Sequence, residues 1–327
     1  MNSLKNRNIR WGIIGLGNIA DTFASDLLTV KGAELYAVAS RCEQKAQDFA
    51  QKHHATKAYA SYQALANDTN IDAVYIATPH SEHQKNALLC LDQGIAVLCE
   101  KPFAMNAEQV NSMIAVAQEK NVLLMEALWT YFLPHYQFVL SALNNQTYGK
   151  LLKIEADFGF IKEFDGQSRL FNKSLGGGSL LDIGIYPIFA ALSTLGMPDS
   201  ITADATFFDN GADSSCSMIF NYNDGSTALL KSTLLESTPV EAVFYCERGI
   251  IKINSGFNSP STVTLINGTT QENLDFDCKT NGYDYEINHF NELLRQQKTE
   301  SDIMTFNFSQ NLIETLDRVR EIIGLKY

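Results

Sequence analysis

Trp11-Gly12-Ile13-Ile14-Gly15-Leu16-Gly17-Asn18-Ile19-Ala20 runs from an apolar segment through a glycine turn into a helical pattern. Residues 11–14 read as a buried strand. Residues 19–29 read as a helix, with Phe23, Leu27 and Leu28 at helical spacing. Between them stands G-x-G-x-x-A. Gly15 suits the tight turn, and Gly17 lacks a side chain that would hold a pyrophosphate away from the backbone. Ala20 is small enough for close helix–strand packing. The helix start then offers free N–H groups to an anion. A lone motif of this kind is weak, because glycines often only mark turns. Here it lies inside a full βαβ unit, which predicts dinucleotide binding with Gly15, Gly17, Asn18 and Ile19 at the phosphates.

The alternation continues outward from that unit. Strands are expected at 33–40, 73–77, 95–99 and from 122, and helices at 43–53, 62–66, 82–92 and 107–119. Apolar strands alternating with helices predict a parallel sheet covered on both faces. After about residue 125 the character changes. A helix over 129–143 is followed by longer strands at 151–160, 201–208, 215–221, 226–233, 240–246, 249–254 and 263–266. Turn signals such as Asn223-Asp224-Gly225 and Asn267-Gly268 separate some of them. Helices are expected at 181–195, 285–296 and 308–323. The prediction is α/β followed by α+β: a Rossmann domain over 1–125, then a domain over 126–327 built on a mostly antiparallel sheet.

A chain of 327 residues with 45% hydrophobic and 19% charged residues can bury two cores without staples. The net charge of −12 argues against nucleic acid or an anionic membrane as partner, since no basic stripe offsets it. The polar first ten residues lack an apolar signal core, so the expected compartment is the cytoplasm. Six scattered cysteines, with no C-x-x-C spacing, read as reduced thiols, several within apolar runs.

The end of the second strand reports the cofactor type. An acid there would hold the ribose hydroxyl of NAD, but the sequence has Ser40-Arg41. A planar guanidinium beside a hydroxyl suits a 2′-phosphate, and Lys45 stands a turn further on. NADP is the expected cofactor and NAD the alternative. Thr78, Pro79 and His80, with His83, follow the strand at 73–77 and are expected to line the cofactor site. His80 and His83 without a third ligand do not make a zinc site, so no metal is expected.

Glu100-Lys101-Pro102 follows the strand at 95–99, at the end of a parallel strand where such sheets bind ligands. Together with Gly15–Ala20, Ala77-Thr78-Pro79-His80, Gly176-Gly177-Gly178 and Asp182-Ile183-Gly184-Ile185-Tyr186, these residues resemble the glucose–fructose oxidoreductase, inositol dehydrogenase and MocA-like (Gfo/Idh/MocA) oxidoreductases. Residues 125–130 and 180–186 resemble the branch of trans-1,2-dihydrodiol and NADP-D-xylose dehydrogenases. Tyr186 stands where many members carry histidine, which speaks against inositol as substrate.

The resemblance implies Lys101 and Tyr186 as the catalytic pair, and hydride transfer between nicotinamide and the CH–OH or C=O carbon of a sugar, polyol or trans-dihydrodiol. The chemistry asks for such a pair independently: alcohol oxidation needs a base, and carbonyl reduction an acid. A nearby ammonium lowers the pKa of a phenol from its usual value of about 10. Either residue could be the proton donor. Asp182 lies four residues before Tyr186, one helical turn away, and is expected to bind substrate hydroxyls. Trp129 matches a substrate-pocket position of the branch. Arg169 is expected at the nicotinamide carboxamide, with a surface arginine as the alternative, and Glu100 beside the cofactor. Gly176–Gly178 reads as a backbone approach to substrate or as a flexible loop. A homodimer through the second sheet is expected, and a non-catalytic NADP-binding regulator is the rival reading.

Overall fold

The computed structural model describes residues 7–327. In chain order the elements are β1 (Ile9–Ile14), α1 (Asn18–Leu27), β2 (Ala33–Ala39), α2 (Glu43–His53), β3 (Lys57–Tyr59), α3 (Tyr62–Ala66), β4 (Ala73–Ile76), α4 (His83–Leu91), β5 (Ala96–Glu100), α5 (Ala107–Lys120) and β6 (Leu124–Ala127). Then come α6 (Pro134–Asn144), β7 (Leu151–Gly159), α7 (Ile185–Leu195), β8 (Ser200–Phe207), β9 (Asp213–Asn221), β10 (Thr227–Thr233), β11 (Ala242–Cys246), β12 (Gly249–Ile253), β13 (Val263–Asn267), β14 (Thr270–Leu274), α8 (Tyr283–Arg295) and α9 (Phe306–Ile323). The chain divides into two compact units, Met1–Trp129 with Lys279–Gln310, and Thr130–Cys278 with Asn311–Tyr327.

The first unit holds a six-stranded parallel sheet in the order β3-β2-β1-β4-β5-β6. All four residues of β4 are buried, as a strand covered on both faces requires. Helix starts follow local chemistry. Ser61 Oγ accepts the Ala64 amide at 3.1 Å to open α3, and Asn106 Oδ1 accepts the Gln109 amide at 2.9 Å to open α5. Because β1 and β4 are neighbours, the strand ends after Ile14, Ile76 and Glu100 share one edge of the sheet.

A linear reading assigns everything beyond residue 125 to the second domain, yet residues 279–310 pack within the first unit. The fixing contacts are far apart in sequence. Trp11 Nε1 donates to Asn291 Oδ1 at 3.0 Å, and its ring lies 5.1 Å from that of Phe290. The buried Asp26 carboxylate accepts the Asn281 side chain at 2.7 Å and the Tyr283 amide at 2.9 Å.

The second unit holds an eight-stranded sheet in the order β14-β13-β12-β11-β7-β10-β9-β8. Every pairing is antiparallel except β7 with β10, which run parallel from Lys153↔Thr227 to Gly159↔Thr233. One face carries Ile154, Met218, Phe220, Leu230 and Phe244, all buried. The apolar helix α7 packs on β7 and β10. The stretch Lys173–Leu195 is apolar and long enough to cross a membrane by composition, but 94% of its apolar 18-residue window is buried in the protein, as a core helix would be. Strands β3 and β14 went unread because β3 has only three residues and β14 (Thr-Gln-Glu-Asn-Leu) carries almost no apolar signal.

Candidate active site

The first unit builds its part of the site at the carboxyl ends of its strands. Gly15 has φ +88°, and a Cβ there would stand 2.7 Å from the Ala77 carbonyl oxygen, so only glycine lets the turn pass over β4. A Cβ on Gly17 would meet open space, with nothing within 4 Å. Asn18 is exposed and Ile19 43% exposed, and no side chain caps α1. A helix start left open to solvent, beside a glycine with room above it, fits a dinucleotide pyrophosphate.

At the end of β2, Ser40 is buried and its Oγ accepts the Cys42 amide at 3.1 Å. Arg41 is exposed and stands near Tyr62, whose phenol burial pushes up while the Arg41 charge pulls it down. Tyr62 was missed in the sequence because α3 is brought beside Arg41 only by the fold. Lys45 is exposed in the first turn of α2.

After β4, Thr78 Oγ1 accepts the Asn86 side chain at 3.2 Å, and Pro79 precedes a short 3-10 turn over His80–Glu82. His80 and His83 are both buried, with ring centroids 5.7 Å apart. His83 directs Nε2 to the Thr78 carbonyl and Nδ1 to the Pro102 carbonyl, both at 2.9 Å. It therefore braces two loops through its own ring. Among the described residues no cluster of three or more potential metal ligands forms.

Lys101 follows β5, and the Lys101–Pro102 peptide bond is cis. Two carboxylates hold its loop. Glu100 accepts the Tyr75 phenol and, at 3.3 Å, the Lys101 amide. Glu126, at 2% exposure, accepts the Phe103 amide at 2.9 Å through Oε1. Burial pushes the Glu126 carboxyl up to about 7, against the lowering by the nearby Ser309 and by the Phe103 amide, with Glu100 adding to the rise and Lys101 opposing it. Glu286 is fully buried with neither carboxyl oxygen hydrogen-bonded, and burial, then the charge of Glu100, holds it well above the usual carboxylate range. Glu126 and Glu286 were missed because a carboxylate inside a helix or strand pattern reads as surface. Trp129 is half-buried and stacks on Tyr283, with centroids 4.4 Å apart and planes 16° from parallel.

The second unit carries Asp182 and Tyr186. A single π-helical turn, Leu180–Gly184, leads into α7, and such turns often mark functional sites. Tyr186 is 6% exposed and packs against Phe158 of β7, with centroids 5.7 Å apart. Asp182 is paired with Arg169, whose Nη1 lies 2.9 Å from Oδ1. Arg169 is thus bound to Asp182, not placed at the surface without a partner. Its loop is held by a cluster in which Leu170, Phe171, Ile183 and Leu234 are buried. The glycine run serves internal packing. A Cβ on Gly177 would meet the Arg169 carbonyl oxygen and the Asn172 amide at 2.7 Å, and one on Gly178 would come 2.0 Å from Asp213 Oδ1.

Relatives with the same organisation are known. Residues 9–128 match an oxidoreductase family model with an NAD-binding Rossmann fold, and residues 136–252 match the GFO/IDH/MocA C-terminal domain. The chain is 36% identical over 330 residues to the trans-1,2-dihydrobenzene-1,2-diol dehydrogenase of Xenopus tropicalis, covering 97% of this chain and 99% of that one. The Homo sapiens protein of the same name is 32% identical over 330 residues, with 98% of each covered. Among solved structures, KijD10, a 3-ketoreductase from Actinomadura kijaniata in complex with NADP and TDP-benzene, matches with TM-score 0.88 and 25% identity over 97% of this chain and 98% of that one. The aldose-aldose oxidoreductase from Caulobacter crescentus complexed with glycerol matches with TM-score 0.89 over the same shares at 20% identity, a likeness of fold. The chain belongs to the GFO/IDH/MocA family of oxidoreductases, an NAD-binding Rossmann domain followed by the family's C-terminal domain.

Proposed function

We propose that the protein is an NADP-preferring dehydrogenase or reductase that interconverts CH–OH and C=O on a sugar, polyol or trans-dihydrodiol, with Lys101 and Tyr186 as the catalytic pair. The observation that carries this reading is the Lys101 loop: a lysine at the carboxyl edge of the parallel sheet, fixed by Glu100, Glu126 and His83. The names of the relatives, dihydrodiol dehydrogenases and an NADP-bound 3-ketoreductase, support it.

Gly15, Gly17, Asn18 and Ile19 would hold the pyrophosphate, Ser40 and Arg41 the 2′-phosphate, and Thr78, Pro79, His80 and Glu100 the nicotinamide half. When bound, the nicotinamide accepts or donates the hydride. Tyr186 takes the hydroxyl proton in oxidation and returns it in reduction. Lys101 orients the reacting oxygen and stabilises its developing charge. Asp182, with Arg169 offsetting its charge, binds a neighbouring hydroxyl, and Trp129 offers an apolar wall.

The test is absorbance at the nicotinamide band with NADP and a panel of D-xylose, D-glucose and trans-1,2-dihydrobenzene-1,2-diol, run beside NAD. Lys101→Met and Tyr186→Phe should each lose at least a hundredfold in kcat while NADPH binding survives. Full activity in either variant removes the pair.

A homodimer through the second sheet is part of the same proposal. The face away from α7 holds a trough of about 510 Å³ lined by Glu155, Thr202, Ile219, Leu229 and Lys231 among others. Ile219 is 44% and Leu229 39% exposed. An apolar strip with both charges at its sides can pair with its own copy about a two-fold axis.

A further inference from the structure

A buried carboxylate unused by the chemistry above stands behind the turn that carries Asp182 and Tyr186. Asp213, the first residue of β9, is wholly inaccessible. Its Oδ2 accepts the Ser179 hydroxyl at 2.7 Å and the Leu180 amide at 2.6 Å. Ser179 Oγ in turn lies 3.2 Å from Ser232 Oγ on β10, and both serines are fully buried. Ser232 also meets the far end of the turn, where a Cβ on Gly184 would stand 2.9 Å from its Oγ. The π turn is therefore held at its start by Asp213 and, through Ser179, by Ser232, while Gly184 at its far end leaves room for the Ser232 side chain.

Such a grip is costly in a core. An isolated carboxylate and two hydroxyls in apolar surroundings lose water, and well-packed apolar residues of similar size would serve stability as well or better. Asp213 Oδ1 keeps no hydrogen-bond partner, and the missing Cβ of Gly178, at φ +132°, makes the space for it. Burial raises the carboxyl while its donors oppose that rise. What the arrangement supplies is direction. A π turn has one residue more per hydrogen-bonded ring than an α turn and competes with the α register. The Leu180 amide is one of the first donors of the helix, and an anion there fixes which register starts.

We propose that Asp213, acting through Ser179 and Leu180 with Ser232 as support, is the positioning residue that sets the direction of Asp182 and Tyr186. This rests on the reading of Tyr186 as the proton-transferring group. Asp213→Ala, Asp213→Asn, Ser179→Ala and Tyr186→Phe are measured together with NADP and the panel compound that the wild type turns over fastest. Asp213→Ala should lower kcat at least tenfold with KM within threefold and NADPH affinity unchanged. Hydrogen exchange should show amides 180–186 losing protection while the rest of the chain keeps it. Asp213→Asn, which retains an acceptor for both donors, should recover kcat to within threefold of wild type. If Asp213→Ala does not fold, Ser179→Ala carries the test, with a loss of at least threefold in kcat and no change in NADPH binding. Wild-type kcat in Asp213→Ala, or in Ser179→Ala where it alone folds, overturns the proposal, and so does a loss that Asp213→Asn fails to restore. A fully active Tyr186→Phe overturns the assignment of Tyr186 itself. An inactive Tyr186→Phe beside a fully active Asp213→Ala overturns only the positioning role.

Discussion

Arg169 Nη1 lies 2.9 Å from Asp182 Oδ1, joining a loop to the π turn thirteen residues further on. The Asp182 side chain is 10% exposed and that of Arg169 is 44% exposed, so solvent screens the cation more than the acid. Arg169→Ala should therefore cost at most about 1 kcal/mol of stability. Its larger effect falls on the substrate. An Asp182 without its cation takes a new orientation, and KM for a polyhydroxylated substrate should rise roughly tenfold, a change of about 1.4 kcal/mol. Thermal denaturation and steady-state kinetics on one preparation check both numbers.

Glu126 gives the stability a pH dependence of definite sign. Its folded carboxyl titrates near 7, against an ordinary 4.5. Between those values the folded chain keeps a proton that the unfolded chain has released, so stability falls as pH rises through this window and stays low above it. At about 1.4 kcal/mol per unit, the contribution lost is roughly 3 kcal/mol. Glu126→Gln should flatten the change in urea midpoint between pH 5 and pH 8. An unchanged slope would show that Glu126 is not the group.

Cofactor preference should move with Arg41. A charge-assisted hydrogen bond to phosphate contributes about 1.5–3 kcal/mol. Arg41→Ala should weaken NADP by about tenfold to a hundredfold and leave NAD within about threefold, read by nicotinamide fluorescence titration. Tyr62→Phe, which removes the phenol beside the guanidinium, should produce a smaller change in the same direction.

Asp26 ties α8 to α1 through the Asn281 side chain and the Tyr283 amide. At 2% exposure, its removal leaves these donors without an acceptor. Asp26→Ala should cost about 2–4 kcal/mol in chemical denaturation. Trp129, which stacks on Tyr283, should report the loosening by its fluorescence.

The dimer proposal makes a separate prediction. Ile219→Asp together with Leu229→Asp should shift the sedimentation coefficient from dimer to monomer while far-UV circular dichroism is retained. A wild type that sediments as a monomer at micromolar concentration overturns it.

Sequence alone determined what depends on neighbours along the chain. The Gly15–Ala20 turn, the strand–helix alternation, the Lys101-Pro102 step and the move to hairpin-linked strands after residue 125 are local signals, because propensity, periodicity and turn chemistry act over a few residues. Tertiary structure decided what depends on residues far apart. It placed α8 in the first unit through Trp11, Asp26 and their partners some 255–280 residues away, and it ran β7 parallel to β10 inside an antiparallel sheet. It turned His83 into a brace, gave Arg169 to Asp182, and buried Glu126, Glu286 and Asp213. A carboxylate looks the same in sequence whether it faces water or a core. Only packing removes its water, and the loss of that water sets both its protonation and its hold on the backbone.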